Sequence, residues 1–133
     1  MSHILAIDYG LARIGLAISL VGLAEPLMII KNDLSSDNQL IGPQALAEIK
    51  KIVEQEQIKK IVIGVSEQAM AKKTLDFSNY LKSIFNLEII LVDEVLSSYE
   101  VKQRLKELPH KNRYREIDHF AAAIILENYL DLC

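Results

Sequence analysis

The segment Ile4-Leu5-Ala6-Ile7-Asp8-Tyr9-Gly10-Leu11-Ala12-Arg13-Ile14-Gly15-Leu16-Ala17-Ile18 constrains the fold more than any other stretch of the chain. Two apolar runs flank a short connection bounded by Gly10 and Gly15. Short, mostly β-prone runs beside turn signals predict strands buried on both faces, joined as a hairpin with a loop longer than two residues. Side chains alternate along a strand, so Ile4, Ala6 and Asp8 share one face and Leu5, Ile7 and Tyr9 the other. An acid at the last position of a core strand is costly unless its charge is compensated. A metal ion, a hydrogen-bonding loop or a basic partner would each do so.

The remaining elements follow in order. Strands are predicted over residues 3–9, 14–21 and 24–31, with Pro26 favouring an edge position for the third or a place among its first residues. Residues 32–42 are polar and turn-rich, and Pro43 suits the first turn of a helix extending to about residue 57. Residues 60–65 form a continuous β-branched run, the pattern of a buried parallel strand. A loop over 66–72, a helix over 73–86 and a second buried strand over 87–92 come next. A capping signal at Ser97-Ser98-Tyr99-Glu100 opens a helix that Pro109 stops near residue 108. A basic loop over 110–115 leads into a last helix over 116–131. The order β-β-β-α-β-α-β-α-α predicts an α/β domain spanning residues 1–133. Its mixed five-stranded sheet has its first three strands antiparallel and helices on both faces.

Composition narrows the function classes. Half of the 133 residues are hydrophobic and a quarter charged, as in a globular domain with a real core. The net charge of −3 argues against a surface coated with cations for non-specific nucleic-acid binding. Cys133 is the lone cysteine, so no disulfide framework is available and a reducing compartment is expected. Met1-Ser2-His3 does not begin a signal-peptide pattern, and no apolar run approaches the roughly 20 residues a membrane span needs. A cytoplasmic protein without membrane attachment is the expectation.

Three acidic positions fall where this topology exposes carboxylates at one end of a sheet. Asp8 ends the first strand, Asp93-Glu94 follow the last, and Asp118 lies near the start of the final helix. Carboxylates converging on one crevice are what Mg²⁺ or Mn²⁺ requires, and two such ions about 4 Å apart can activate a water and stabilise the leaving oxygen of a phosphodiester. Plainer readings exist for each: Asp118 as a dipole-favoured surface residue, and Asp93-Glu94 as a solvated loop. Strand alternation puts only one of Asp93 and Glu94 on the crevice side, without choosing between them. The scattered His3, His110 and His119 show no ligand spacing for zinc.

Basic residues concentrate between the second and third acidic positions. Residues 102–115 hold Lys102, Arg104, Lys106, Lys111, Arg113 and Arg115 against the single acid Glu107. Such a patch at the rim of the crevice would contact phosphates without reading sequence, and a solvated amphipathic segment is the plain alternative. Arg13 suits either a phosphate contact or an ion pair with Asp8. Tyr114 could stack a base or cap the core.

Taken together, Asp8-Tyr9-Gly10-x-x-Arg13-Ile14-Gly15-Leu16-Ala17, Asp93-Glu94-x-Leu96-Ser97-Ser98 and Asp118-x-x-Ala121-Ala122 resemble the YqgF family. Its members, also called RuvX-type Holliday junction resolvases, are nucleases assigned to pre-16S rRNA processing, with a ribonuclease H-like fold. The resemblance covers essentially the whole chain in the right order. It implies a divalent-metal (Mg²⁺ or Mn²⁺) phosphodiesterase with Asp8, Glu94 and Asp118 as the acidic triad, and it selects Glu94 over Asp93. It further implies structured RNA, ribosomal precursor particles or branched DNA as partners, and a monomer or homodimer. Arg13, Lys111, Arg113 and Arg115 are the candidate nucleic-acid contacts.

The chain also departs from the family pattern. Gly64-Val65-Ser66-Glu67-Gln68-Ala69-Met70 stands where the family has Gly-Leu-Pro and a longer loop, Val95 where an Arg is usual, and Arg115-Glu116 where a Lys is expected. An absent Arg removes a charge-assisted hydrogen bond to phosphate. The metal triad is therefore kept while the substrate-holding shell is altered. That leaves a catalytically weak nucleic-acid-binding assembly module as the competing function. A nucleotide-phosphate-binding domain, the remaining class, would need a second lobe.

Overall fold

A computed structural model describes residues 3–36, 38–65, 70–93 and 113–131, with the side chains of residues 93 and 113–120 outside that description. Five strands and three helices are present among the described residues: β1 Ile4–Asp8, β2 Arg13–Ser19, β3 Glu25–Lys31, α1 Pro43–Gln55, β4 Lys60–Val65, α2 Ala71–Ile84, β5 Glu88–Asp93 and α3 Arg113–Asp131. The strands form one sheet in the order β3-β2-β1-β4-β5. β1 pairs antiparallel with β2 and parallel with β4, β2 antiparallel with β3, and β4 parallel with β5. The mixed sheet and the antiparallel opening are as the sequence predicts.

Alternation along the strands sorts the core into two layers. Leu5, Ile7, Tyr9, Ile14, Leu16, Ile61 and Ile63 pack on one face against Ile49 and Ile52 of α1 and Phe77 and Leu81 of α2. Ile4, Ala6, Ala17 and Val62 pack on the other against Ala122, Ala123, Ile125, Leu126 and Tyr129 of α3. A fully buried aliphatic side chain such as Ile49 contributes roughly 1.5–3 kcal/mol relative to leaving it in water. Burial on both faces makes the β1 and β4 runs continuously apolar, since neither side meets solvent. Among the described residues, no helix is long and apolar enough to cross a membrane.

Four local expectations are corrected. The run 87–92 predicts a buried strand, but β5 is an edge strand with Leu91 37% exposed; an apolar run does not reveal which strands have a neighbour on both sides. α2 begins at Ala71 rather than 73, because its N-cap Met70 is itself near-helical and offers no capping side chain to mark the start. α3 begins at Arg113, so residues 113–115 are helical instead of part of a basic loop. Asp118 consequently lies in the second turn of α3, one turn further from the helix terminus than predicted. The helix expected over 97–108 lies outside the described residues.

Candidate functional site

The parallel strands β1, β4 and β5 end at a common edge of the sheet, and that edge is where the candidate residues collect. Ile7 is level with Ile63, and Gly64 with Val92. Asp8, one position beyond Ile7, therefore stands in the row Gly64–Val92, with Val65 and Asp93 one residue further out. Asp8 is directly opposite Gly15 on β2. It is half-buried, and its place in the pleat is on the face of Ile4 and Ala6, the face that α3 covers. Arg13 lies two residues beyond Gly15 on that same face and at that same edge, and it is exposed. Asp8 and Arg13 thus stand on one face at one edge of the sheet.

Two landmarks orient α3. Lys60, at the opposite edge of β4, donates through Nζ to the Tyr129 hydroxyl at 2.6 Å and lies 5.2 Å from that ring's centre. Glu127, Leu130 and Asp131 line a cavity with residues 22–25 of the β2–β3 turn, which is also at that opposite edge. The C-terminal end of α3 therefore lies at the edge of the sheet opposite the site. Ala122, Ile125 and Tyr129 follow Asp118 at helical spacing along the stripe packed on the sheet. Arg113 and Arg115 are in the first turn of this helix. Glu94, Lys111 and Val95 lie outside the described residues. Among the described side chains, no three acids, histidines or cysteines gather as a metal-holding group; the expected triad runs through residues 94 and 118, whose side chains are not among them.

The loop between Asp8 and Arg13 is held by a residue that the sequence leaves in an ordinary polar turn. Asn32 is 5% exposed. Its Nδ2 donates to the carbonyls of Gly10 at 3.1 Å and Leu40 at 3.3 Å, and its Oδ1 accepts from Gly42 N–H at 2.9 Å. Its backbone N–H donates to the Ala12 carbonyl at 2.9 Å. Gly10 is required there by close approach, since a Cβ would lie 2.5 Å from the Arg13 carbonyl oxygen. Neighbouring Asp33 caps α1, accepting from Gln44 and Ala45 N–H at 3.0 Å each, and these bonds hold its carboxyl below the usual 3.8. Next to Asp8, Tyr9 stacks on Phe77 with ring centres 4.2 Å apart and donates its hydroxyl to the Leu40 carbonyl. Burial raises the Tyr9 pKa and keeps the phenol neutral. Only the contact across 22 positions distinguishes Asn32 from any other loop asparagine, so no local signal could have found it.

Comparison with known proteins places these features in a family. Residues 2–132 match the family model described as RuvX, Holliday junction resolvase. A protein of Sulfurihydrogenibium sp. named "Putative pre-16S rRNA nuclease" is 35% identical over 98% of this chain and 91% of its own length. One of the same name from Maridesulfovibrio salexigens is 34% identical over 96% of each chain. Among solved structures, the Fowlpox virus resolvase with Holliday junction DNA superposes with a TM-score of 0.58 at 16% identity, covering 98% of this chain and 97% of that one. The T. thermophilus RuvC complex with its junction substrate gives 0.56 at 11%, covering 99% and 96%. At such identities these two likenesses establish the fold, which is ribonuclease H-like.

Proposed function

This chain belongs to the RuvX Holliday junction resolvase family and is a hydrolase of phosphodiester bonds, and from that premise we propose that it is a divalent-metal-dependent endonuclease of precursor 16S ribosomal RNA. The observation that carries the reading is Asp8: a half-buried carboxylate at the end of a central strand, on the face covered by α3 and at the edge where β4 and β5 also end. The RNA assignment rests on the curated relatives, 30–35% identical across nearly the whole chain.

A hard cation fits this donor chemistry. Carboxylate oxygens suit Mg²⁺ or Mn²⁺, and the residues beside Asp8 in its row, Gly15 and Gly64, carry no side chain to crowd it. Asp8, Glu94 and Asp118 are the residues that would hold the ions. When bound, such ions supply Lewis-acid stabilisation of phosphodiester charge and activation of water. The pleat of β5 supports Glu94 over Asp93, because Ile90 and Val92 belong to the face of Asp8 while Ile89 belongs to the other. The length of α3 supports Asp118. It precedes Tyr129 by 11 residues, about 16 Å of helix, while the row of Asp8 is four residues, about 13 Å, from that of Lys60. Arg13, Arg113, Arg115 and Lys111 are proposed to hold the nucleic-acid backbone through charge-assisted hydrogen bonds. Arg13 would orient the phosphate beside Asp8.

Cleavage of a structured RNA carrying the 16S precursor ends, beside a four-way DNA junction, tests the reading. Cleavage of the RNA with Mg²⁺ or Mn²⁺ is expected, and Asp8→Asn should abolish it while leaving the circular dichroism spectrum unchanged. Preferred cleavage of the junction would move the substrate to branched DNA. Salt-sensitive RNA binding without any Asp8-dependent cleavage would leave a binding module.

A further inference from the structure

Resting on the nuclease reading, we infer that Asn32 is a positioning residue of the site: it sets the loop between β1 and β2 so that Arg13 is presented to the substrate phosphate. The connection over residues 9–12 is longer than the two-residue turns that fix a hairpin by themselves. It takes its geometry from outside. Asn32 grips it at two carbonyls, that of Gly10 through Nδ2 at 3.1 Å and that of Ala12 through its backbone N–H at 2.9 Å. Ala12 immediately precedes Arg13, and Gly10 approaches so closely that a Cβ there would stand 2.5 Å from the Arg13 carbonyl oxygen. Arg13 is itself level with Lys31, the chain neighbour of Asn32.

The other end of the Asn32 amide makes it a fixed point. Its Oδ1 accepts from the Gly42 N–H at 2.9 Å, and Gly42 is the N-cap of α1, whose Ala45, Ile49 and Ile52 are buried in the core. One side chain therefore references the loop to a packed helix, donating on one side and accepting on the other. An arginine must lose backbone and side-chain freedom to meet a phosphate, so holding its backbone in advance lowers the cost of that contact. Asn32 is too buried to meet a nucleic-acid backbone itself. Its effect passes through Arg13, which is exposed on the face and at the edge of Asp8.

A double-mutant cycle on the full chain tests this, with Arg13→Ala, Asn32→Ala and the pair, read by RNA cleavage, by the salt dependence of RNA binding and by urea unfolding. Arg13→Ala should lower kcat/KM about ten-fold or more, as a charge-assisted phosphate contact is lost, and flatten the plot of log Kd against log salt by about one contact. Asn32→Ala should lower kcat/KM at least about five-fold and flatten the same plot. In the Arg13→Ala background, Asn32→Ala should change kcat/KM by less than about two-fold and leave the salt plot alone, while lowering the urea midpoint as much as in the wild type. Losses in kcat/KM that multiply would overturn the inference, and so would wild-type cleavage and binding in either single variant. Gly10→Ala displaces the same loop through the Arg13 carbonyl and takes the place of Asn32→Ala if that variant does not fold; its loss must likewise vanish in the Arg13→Ala background. A wild-type chain that binds RNA in a salt-dependent way without cleaving it defeats the nuclease reading, and the binding cycle then decides the role of Asn32. RNA neither cut nor bound overturns both.

Discussion

Replacing Asn32 probes how the loop that carries the candidate site is held. In Asn32→Ala the Leu40 carbonyl keeps the Tyr9 hydroxyl as donor, so little is lost there. The Gly10 carbonyl and the buried Gly42 N–H, by contrast, lose the side-chain partners they have in the wild type. Two such bonds at about 1 kcal/mol each, with the further penalty of burying an unpaired N–H, give a loss of about 2–4 kcal/mol. Asn32→Asp separates the two halves of the bracket. Its carboxylate can still accept from Gly42 N–H, but it faces the Gly10 and Leu40 carbonyls with negative charge where the amide donated. That variant should be less stable than Asn32→Ala at pH 7 and recover part of the deficit near pH 4, where the protonated carboxyl donates again. Its folded-state pKa is raised, so the cost appears as pH rises. Urea unfolding at both pH values measures each quantity. A loss under about 0.5 kcal/mol in Asn32→Ala, or no pH difference in Asn32→Asp, would show that Asn32 does not hold this loop.

The cap on α1 gives a prediction of opposite sign: the Asp33 carboxyl is held below 3.8 by the Gln44 and Ala45 N–H groups, so its contribution is complete above that pH and lost as pH falls through the folded-state value. Asp33→Asn should therefore flatten the acid limb of a stability–pH curve, and an unchanged limb would refute the cap's electrostatic part. Ser78 Oγ is buried in α2 without a hydrogen-bond partner among the described residues, so Ser78→Ala should leave stability unchanged or raise it by about 1 kcal/mol in urea unfolding; a loss beyond about 0.5 kcal/mol would reveal a partner. The loss of metal-dependent cleavage in Asp8→Asn, with the circular dichroism spectrum unchanged, completes the set.

The strands and helices were legible because their signals are local. The double-sided apolar runs of β1 and β4, the alternation that put Asp8 with Ile4 and Ala6, and Pro43 at the start of α1 are properties of neighbours in the chain. The start of α2 at Ala71, where the N-cap Met70 offers no capping side chain, leaves no such mark in the sequence.

Asp8 stood out from the sequence alone, because an acid ending an apolar strand is costly wherever that strand packs. Tertiary structure decided what lies beside it. The register set Gly15 and Gly64 against the acid, the sheet order made β5 an edge, and the fold carried Asn32 back across 22 positions to hold Gly10. Local sequence fixes which face a side chain takes, because the pleat has a period of two residues. Which strand lies next door depends on how distant apolar faces bury one another, and no local pattern encodes that.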